Sequence, residues 1–327
     1  MYKYVLRRFL MMIPVLLGVS LIIFTLLYFT PGNPAELLLP EEASEEDIMK
    51  KEVELGLDDP FFVRYINYLT GIVFKGDFGI SYTTKRPVLD EILVRFPTTA
   101  LLAIASMLVA VPIGIIAGII SATRQYSALD YIATSLSFVG VSMPNFWQGL
   151  ILILLFSVTF GWLPSSGFGS FKYWILPAVT IGTSSAANIM RMTRSSMLEV
   201  IRQDYIRTAR AKGQSERLVK YNHALKNALI PIITVVGISF GNLLGGAVLT
   251  ETVFSIPGLG KLMVDALNVR NYPLVQGSVL FLALTFSFVN LGVDILYAYV
   301  DPRIKYQYSG GKTEKKLTIK EKQRNEQ

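Results

Sequence analysis

Six long apolar stretches constrain the fold of this chain more than any other feature of its sequence. Hydrophobic residues make up 52% of the 327 residues and the mean hydropathy is +0.45, which is too apolar for an ordinary soluble domain. A helix of about 20 apolar residues crosses the hydrocarbon core of a bilayer. Such stretches lie at residues 9–30, 98–122, 132–160, 175–190, 229–254 and 274–300. The sequence therefore predicts an all-α polytopic membrane protein with about six transmembrane helices.

Two of these stretches are irregular. Residues 175–190 form the shortest one, and Ser184, Ser185 and Asn188 dilute its hydropathy. Residues 132–160 contain Pro144 and Gln148. A proline inside a span favours a kink or a re-entrant start, because it removes a helical hydrogen bond.

The basic residues predict the orientation. Lys3, Arg7 and Arg8 precede a first stretch that is too long for a signal peptide and lacks a small-residue cleavage site, so it is expected to stay as a span. Both tails, the central loop and the loop after the second stretch hold 21 Lys and Arg residues, against 3 in the short loops of the other side. The positive-inside rule then places both termini and the central loop in the cytoplasm. It also explains the net charge of +7, so no nucleic acid is expected as a partner.

The loop of residues 31–97 is expected outside the cytoplasm. Its middle, residues 55–82, mixes aromatic residues, glycines and charges, which favours a folded cap over a disordered tether. A purely structural role for this ordered loop is the alternative. The predicted organisation is a first span with its tail (1–30), this loop (31–97), a five-span core (98–308) with the central loop at 191–227, and a basic tail (309–327). The tail either touches anionic lipid headgroups or is unstructured.

Small residues recur at helical spacing within two spans. Gly114 and Gly118 lie four residues apart in the second span, and Gly237, Gly241 and Gly245 do so in the fifth. Such stripes let another helix approach closely. The spacing does not say whether that helix belongs to this chain or to another subunit.

Charged and catalytic groups exclude several functions. Glu251 and Asp294 are the acids within the stretches, and we expect them to pair with a helix terminus or a neighbouring side chain and not to couple ions. The chain has no Cys, a single histidine (His223) and no GxxxxGK[ST] phosphate loop. We therefore expect no enzymatic site, metal or cofactor in this chain, and any ATP that powers it to be hydrolysed by another polypeptide.

The central loop contains a helix–glycine–helix pattern. Asp204 can cap a short helix, which Gly213 can end with Arg210 in its last turn, and Ser215 can start a second helix. The pattern predicts two helices outside the membrane, joined at one glycine. It is typical of a docking element for another protein.

This loop resembles the EAA loop of permease subunits from binding-protein-dependent ABC importers. Arg207, Thr208 and Ala209 stand at its three leading positions, Gly213 at its glycine and Pro231 at its final proline. RTARAKG followed by HALKNALIP is typical of the peptide and nickel branch. Further matching segments extend over nearly the whole chain: RRFL, FTPGNPA, GLDDPFFVRY, GDFGIS, RFPTTALL, SMPNFW, LPA, ETVFSIPGLG, NYPLVQG and DPRI.

The resemblance implies a type I ABC importer permease fold and the first of two permease subunits of an oligopeptide or dipeptide importer. A coupling helix would dock on an ATP-binding subunit, with small residues allowing close seating and charges making polar contacts; the alternative is that these charges form a solvated helix face. The coupling residues implied are Arg207, Thr208, Ala209, Arg210, Ala211, Gly213, Glu216 and Arg217.

The resemblance also implies partners and a location. The expected assembly contains a second, different permease subunit, two cytoplasmic ATPases that bind ATP and Mg, and an extracytoplasmic binding protein that delivers peptide to loops 55–82 and 256–272. Its location would be a prokaryotic cell membrane, with lipid around the spans. The alternatives are a nickel or glutathione importer of the same family and, further away, a proton-coupled carrier or an intramembrane enzyme.

Overall fold

The computed structural model describes residues 2–40 and 42–300, which fold into helices joined by short loops. An isolated β-bridge between Ile80 and Pro87 is the one extended pairing in this part of the chain. The helices are listed here in chain order: α1 (Tyr2–Tyr28), α2 (Pro34–Leu37), α3 (Glu45–Leu55), α4 (Phe61–Thr70), α5 (Val88–Thr123), α6 (Ala128–Ser142), α7 (Asn145–Leu152), α8 (Lys172–Ile201), α9 (Asp204–Ala211), α10 (Glu216–Leu218), α11 (Lys226–Gly246), α12 (Val248–Val253), α13 (Leu259–Asn268) and α14 (Tyr272–Val300). π-helical turns at Gly71–Lys75, Ile153–Thr159 and Val219–Leu225 continue α4, α7 and α10.

Four segments of the described chain are long and apolar enough to cross a bilayer. They are Val5–Tyr28, Val88–Thr123, Glu216–Gly245 and Tyr272–Leu296. The third predicted span is α6 followed by α7, bent by 105°. The bend lies at Pro144, so the expected kink is confirmed. The predicted fourth span lies within α8, whose 30 residues are not apolar enough to meet the same standard.

Two helix boundaries differ from the predicted limits of the spans. The helix α5 starts after Pro87, ten residues before the predicted end of the 31–97 loop, and buries Val88 and Ile92 against α13 and α14. The fifth span, expected at 229–254, ends as a helix at Gly246, and α12 follows as a separate short helix. With 36 residues, α5 is about 54 Å long and therefore reaches well beyond the hydrocarbon core.

The loop between α1 and α5 is folded, as its composition predicts. Ser44 caps α3 by accepting a hydrogen bond from the Asp47 amide, and the Ser44 hydroxyl donates to the Asp47 carboxylate, which lowers the pKa of that carboxyl. The aromatic residues of α4 pack on α1. Phe61 meets Phe24 with ring centres 5.3 Å apart, and the hydroxyls of Tyr65 and Ser20 are 3.0 Å apart.

The glycine stripes lie where helices meet within this chain. A Cβ at Gly114 would stand 2.7 Å from Cβ of Ile189, and one at Gly118 would stand 2.5 Å from Cβ of Thr193, so α5 and α8 are in close contact. The fifth-span stripe divides into two parts. A Cβ at Gly237 or Gly241 would meet Val293 or Phe286 of α14, whereas one at Gly245 has no atom within 4 Å.

Replacing Gly118 with alanine is expected to lower the free energy of unfolding by about 1–3 kcal/mol, because the methyl group would overlap Thr193 and the backbone of α8. The same change at Gly245 fills open space and should cause no loss. Denaturation of the two purified variants in lipid nanodiscs measures the difference. Equal stabilities would contradict the close α5–α8 contact.

Candidate functional site

The short helix α9 lies across one end of the bundle, which we call the α9 end. Its Ile206 is 0% and its Ala209 8% exposed. Both pack in an apolar cluster with residues from α5, α8 and the helix that follows α9; these include Ile119, Met197 and Val219. Apolar positions three residues apart fall on one face of a helix, so α9 is seated on the bundle by that face and presents its other face outward.

Two side-chain contacts fix α9 to the next helix. Nε of Arg210 donates to Oε1 of Glu216 at 2.7 Å, and Nδ2 of Asn227 donates to the Tyr205 hydroxyl at 3.0 Å. The turn between the helices passes through Gly213 at φ +76°, a left-handed conformation that favours glycine. A Cβ there would meet no atom within 4 Å, so the backbone conformation, and not a lack of space, requires this glycine.

Two details of the predicted helix pair are wrong. Gln203, not Asp204, is the N-cap of α9, and it makes no side-chain capping bond. Ser215 does cap the second helix, by accepting from the Leu218 amide. That helix is not a separate element outside the membrane, because it continues through a π-helical turn into α11, and Glu216–Gly245 forms one candidate span.

The structure divides the predicted coupling residues into three groups. The first group is exposed and consists of Arg207, Thr208, Ala211, Gly213 and Arg217. Arg210 and Glu216 are paired with each other. Ala209 points into the bundle and is 8% exposed, so it offers no surface for the close seating of a partner that its small size had predicted.

A basic groove lies beside the exposed residues. It has a volume of about 890 Å³ and separates the end of α5 and the start of α6 from the helix that begins at Glu216. Arg124, Arg217 and Lys220 supply its cations. The α9 end therefore combines an exposed helix with a positively charged groove, which suits a docking surface for a partner with acidic groups.

A half-buried ion pair near this end escaped the sequence-based interpretation. Arg194 of α8 donates through Nε and Nη2 to the two carboxylate oxygens of Asp130, each at 2.9 Å. Asp130 also accepts from Ser121 and from the Tyr126 amide. The side chain of Asp130 is 4% exposed. The sequence held one signal for this pair. Asp130 lies just before the apolar stretch 132–160, Arg194 lies just after the stretch 175–190, and both positions are on the predicted cytoplasmic side.

Glu251 and Asp294 have the structural partners expected of them. Glu251 is fully buried, and its carboxylate accepts from the Thr99 hydroxyl at 2.6 Å and from the Lys261 amide at 2.9 Å, at the N-terminus of α13. Asp294 of α14 forms a 3.0 Å ion pair with Arg8 of α1. Each contact holds two helices together.

At the other end of the bundle, Asn271 joins two loops that the sequence places far apart. Its Oδ1 accepts from the Tyr82 amide at 3.0 Å, and its Nδ2 donates to the hydroxyls of Ser81 and Thr83. Asn271 is 0% exposed. Loops 55–82 and 256–272, the two predicted contact regions for a binding protein, are thus parts of one surface.

Among residues 2–40 and 42–300, no group of three or more His, Cys, Asp or Glu side chains could hold a metal ion.

Comparison with known proteins gives consistent matches. The family described as binding-protein-dependent transport system inner membrane component matches residues 110–306, and the N-terminal region of such membrane components matches residues 1–103. The dipeptide transport system permease protein of Alkalihalophilus pseudofirmus is 45% identical, over 94% of this chain and 100% of that protein. The glutathione transport system permease protein of Escherichia coli K12 is 44% identical, with the same coverage.

One solved structure shows the same fold. It is an inward-facing conformation of the MetNI methionine ABC transporter, with a TM-score of 0.54 and 20% sequence identity, covering 65% of this chain and 97% of that chain. At this identity the likeness concerns the fold alone. The type I importer permease fold expected from the sequence is confirmed.

Proposed function

Because the chain belongs to the family of inner membrane components of binding-protein-dependent transport systems, we propose that it is the first of two different permease subunits in an ATP-driven importer of dipeptides or oligopeptides. The family makes it a multi-pass translocation component. Its similarity to a dipeptide permease over 94% of the chain supports the choice of substrate.

The observation that carries the proposal is the placement of α9. This helix packs on the bundle through Ile206 and Ala209 and exposes Arg207 and Thr208 on its other face. Arg210 joins it to the start of a candidate span. A movement of a partner bound to α9 can therefore be passed into the bundle. We propose that two ATPases, which bind ATP and Mg, dock at the α9 end. This end and both termini are then cytoplasmic. The C-terminal tail, residues 309–327, lies outside the described residues.

The opposite end is proposed to receive the peptide-loaded binding protein. The joining of loops 55–82 and 256–272 through Asn271 supports this assignment, because a docking surface has to hold its shape. The second permease subunit is proposed to complete the path, since one bundle of this size encloses little space. Lipid covers the remaining apolar faces.

Glutathione is the second candidate substrate, because the Escherichia coli permeases named for it are 44% identical over their full length. Uptake of labelled alanyl-alanine, glutathione and nickel by the reconstituted assembly separates these importers. Inhibition by vanadate, and not by an uncoupler, separates an ATP-driven importer from a proton-coupled carrier. Failure of alanyl-alanine to enter would refute the assignment to dipeptides.

Replacing Gly213 with valine is expected to reduce ATP-driven peptide uptake by about 5- to 30-fold while ATP hydrolysis continues. The left-handed conformation costs a residue with a Cβ about 1–2 kcal/mol. This cost lowers the population of the turn by a factor of about 5 to 30. Gly161→Val is the matched control, because Gly161 also has a positive φ (+65°) and open space around it but lies in the α7–α8 connection. Normal uptake by the Gly213 variant would refute the coupling role.

A further inference from the structure

A continuous polar stripe runs along one face of α8. Its members follow each other at steps of four, three, four, four and three residues, which places them on the same side of a helix. Ser184 is half-buried and the other five are exposed. They are Ser184, Asn188, Arg191, Ser195, Glu199 and Arg202. Two members of the stripe, Ser184 and Asn188, are among the residues that lower the hydropathy of the fourth predicted span.

The stripe begins inside the predicted fourth span, at Ser184 and Asn188, and continues past the end of that span at residue 190. Arg191 lies ten residues before the end of α8, which corresponds to about 15 Å along the helix axis. Polar residues inside a span usually face protein or a water-filled cavity. The side of α8 that carries Ser184 and Asn188 is therefore expected to face protein or water and not acyl chains.

Arg191 differs from its neighbour Arg194. Arg194 is engaged by Asp130, whereas Arg191 has no carboxylate within ion-pair distance in the described part of the chain. Its Nη2 donates to Oδ1 of Asn188 at 2.7 Å, which orients the guanidinium. Glu199 lies eight residues further along α8, about 12 Å by the helical rise. Arg191 therefore retains donors for another acceptor.

These donors border an open space. A groove of about 640 Å³ lies between α6 and α8. Three arginines of the α8 side line it, together with Ser195 and Glu199 and with Thr134 and Phe138 of α6; the arginines are Arg191, the paired Arg194 and Arg202 at the end of the helix. This volume is within the range of small-molecule sites. A planar guanidinium held by an amide beside such a groove matches the geometry of a carboxylate.

We propose that the α8 stripe lines the translocation path and that Arg191, oriented by Asn188, binds the terminal carboxylate of the passing peptide. The proposal rests on the proposed function and specifies which group of the substrate is recognised. A carboxylate is present in every linear peptide with a free C-terminus, so one cation serves peptides of any side-chain composition.

The first test asks whether the stripe is in contact with water. Because the chain has no Cys, Ser184→Cys and Ser195→Cys each introduce a single thiol. In the assembled, cysteine-free transporter, both should react with a charged methanethiosulfonate reagent about tenfold faster than Leu108→Cys, which is 72% exposed on α5 among apolar neighbours. Equal rates would mean that lipid or the second subunit covers the stripe, and would overturn the proposal even if the wild-type assembly takes up peptide.

The second test concerns the carboxylate. Without the binding protein, alanyl-alanine should protect Ser195→Cys from labelling, and alanyl-alaninamide at the same concentration should not. Adding Arg191→Gln should weaken the protection, so that the half-protecting concentration rises about tenfold or more. Arg191→Lys should raise that concentration less. Equal protection by both compounds, or protection by neither, would overturn the carboxylate assignment. Failure of the proposed function would show separately, as absence of uptake by the wild-type assembly.

Discussion

Replacing Arg194 with alanine is expected to lower the free energy of unfolding by about 2–3 kcal/mol, because the Asp130 carboxylate would lose its charge-assisted hydrogen bonds from a guanidinium that is itself partly exposed. Asp130, whose side chain is 4% exposed, would lose its two bonds to the guanidinium and retain those from Ser121 and Tyr126. The loss would separate the start of α6 from α8, close to the α9 end. Denaturation of the purified protein in lipid nanodiscs measures the change.

Two further variants show whether the ion pair causes this loss. Arg202→Ala removes an exposed arginine from the end of the same helix and should change stability by less than about 0.5 kcal/mol. The double variant Asp130→Ala, Arg194→Ala removes both charges, so its loss should be smaller than the sum of the two single losses. Additive losses, or a loss for Arg194→Ala no larger than for Arg202→Ala, would refute the pairing.

Replacing Glu251 with alanine is the second change with a large expected effect, a loss of about 3 kcal/mol. The carboxylate accepts the Lys261 amide and the Thr99 hydroxyl, and Thr99 in turn accepts the Leu259 amide at 2.8 Å. Hydrogen bonds to a charged group contribute about 1.5–3 kcal/mol each, and a buried donor left without a partner costs about as much as a lost bond. The variant leaves such donors at the N-terminus of α13.

The Glu251 carboxylate also explains why position 258 holds a glycine. A Cβ at Gly258 would stand 2.3 Å from the Glu251 carboxyl carbon, so the side chain occupies the place that a larger residue would need. Asp265→Ala, at an exposed acid of α13 itself, is the control and should change stability by less than about 0.5 kcal/mol. If the two acids prove equally dispensable, Glu251 does not hold α13.

The membrane class and most of the helices could be predicted from the sequence because they depend on local properties. Apolar length determines whether a segment can enter a bilayer, and Pro144 alone was enough to indicate the bend between α6 and α7. The start of α5 at Val88 could not be predicted in this way. Residues 88–97 carry charges that suit a loop, and they become helical because Val88 and Ile92 find an apolar cluster on α13 and α14.

The predicted coupling segment, residues 207–217, shows the same difference between local and long-range properties. Gly213 could be identified from its position after a helical pattern, since the need for a left-handed turn is local. The orientation of Ala209 could not, because it depends on the apolar cluster beneath α9. The partners of Arg194 and Asn271 lie 64 and about 190 residues away along the chain, so no spacing rule connects them.

The sequence by itself determined that this chain is a helical membrane protein with a helix–glycine–helix loop at Gly213 and without a GxxxxGK[ST] motif, because apolar length, turn chemistry and motif spacing act over short distances. Only the tertiary structure decided which glycines pack within the chain, which of the predicted coupling residues face outward, and that the polar residues of α8 form one stripe. Those properties depend on which surfaces meet, and distant segments meet only in the folded bundle.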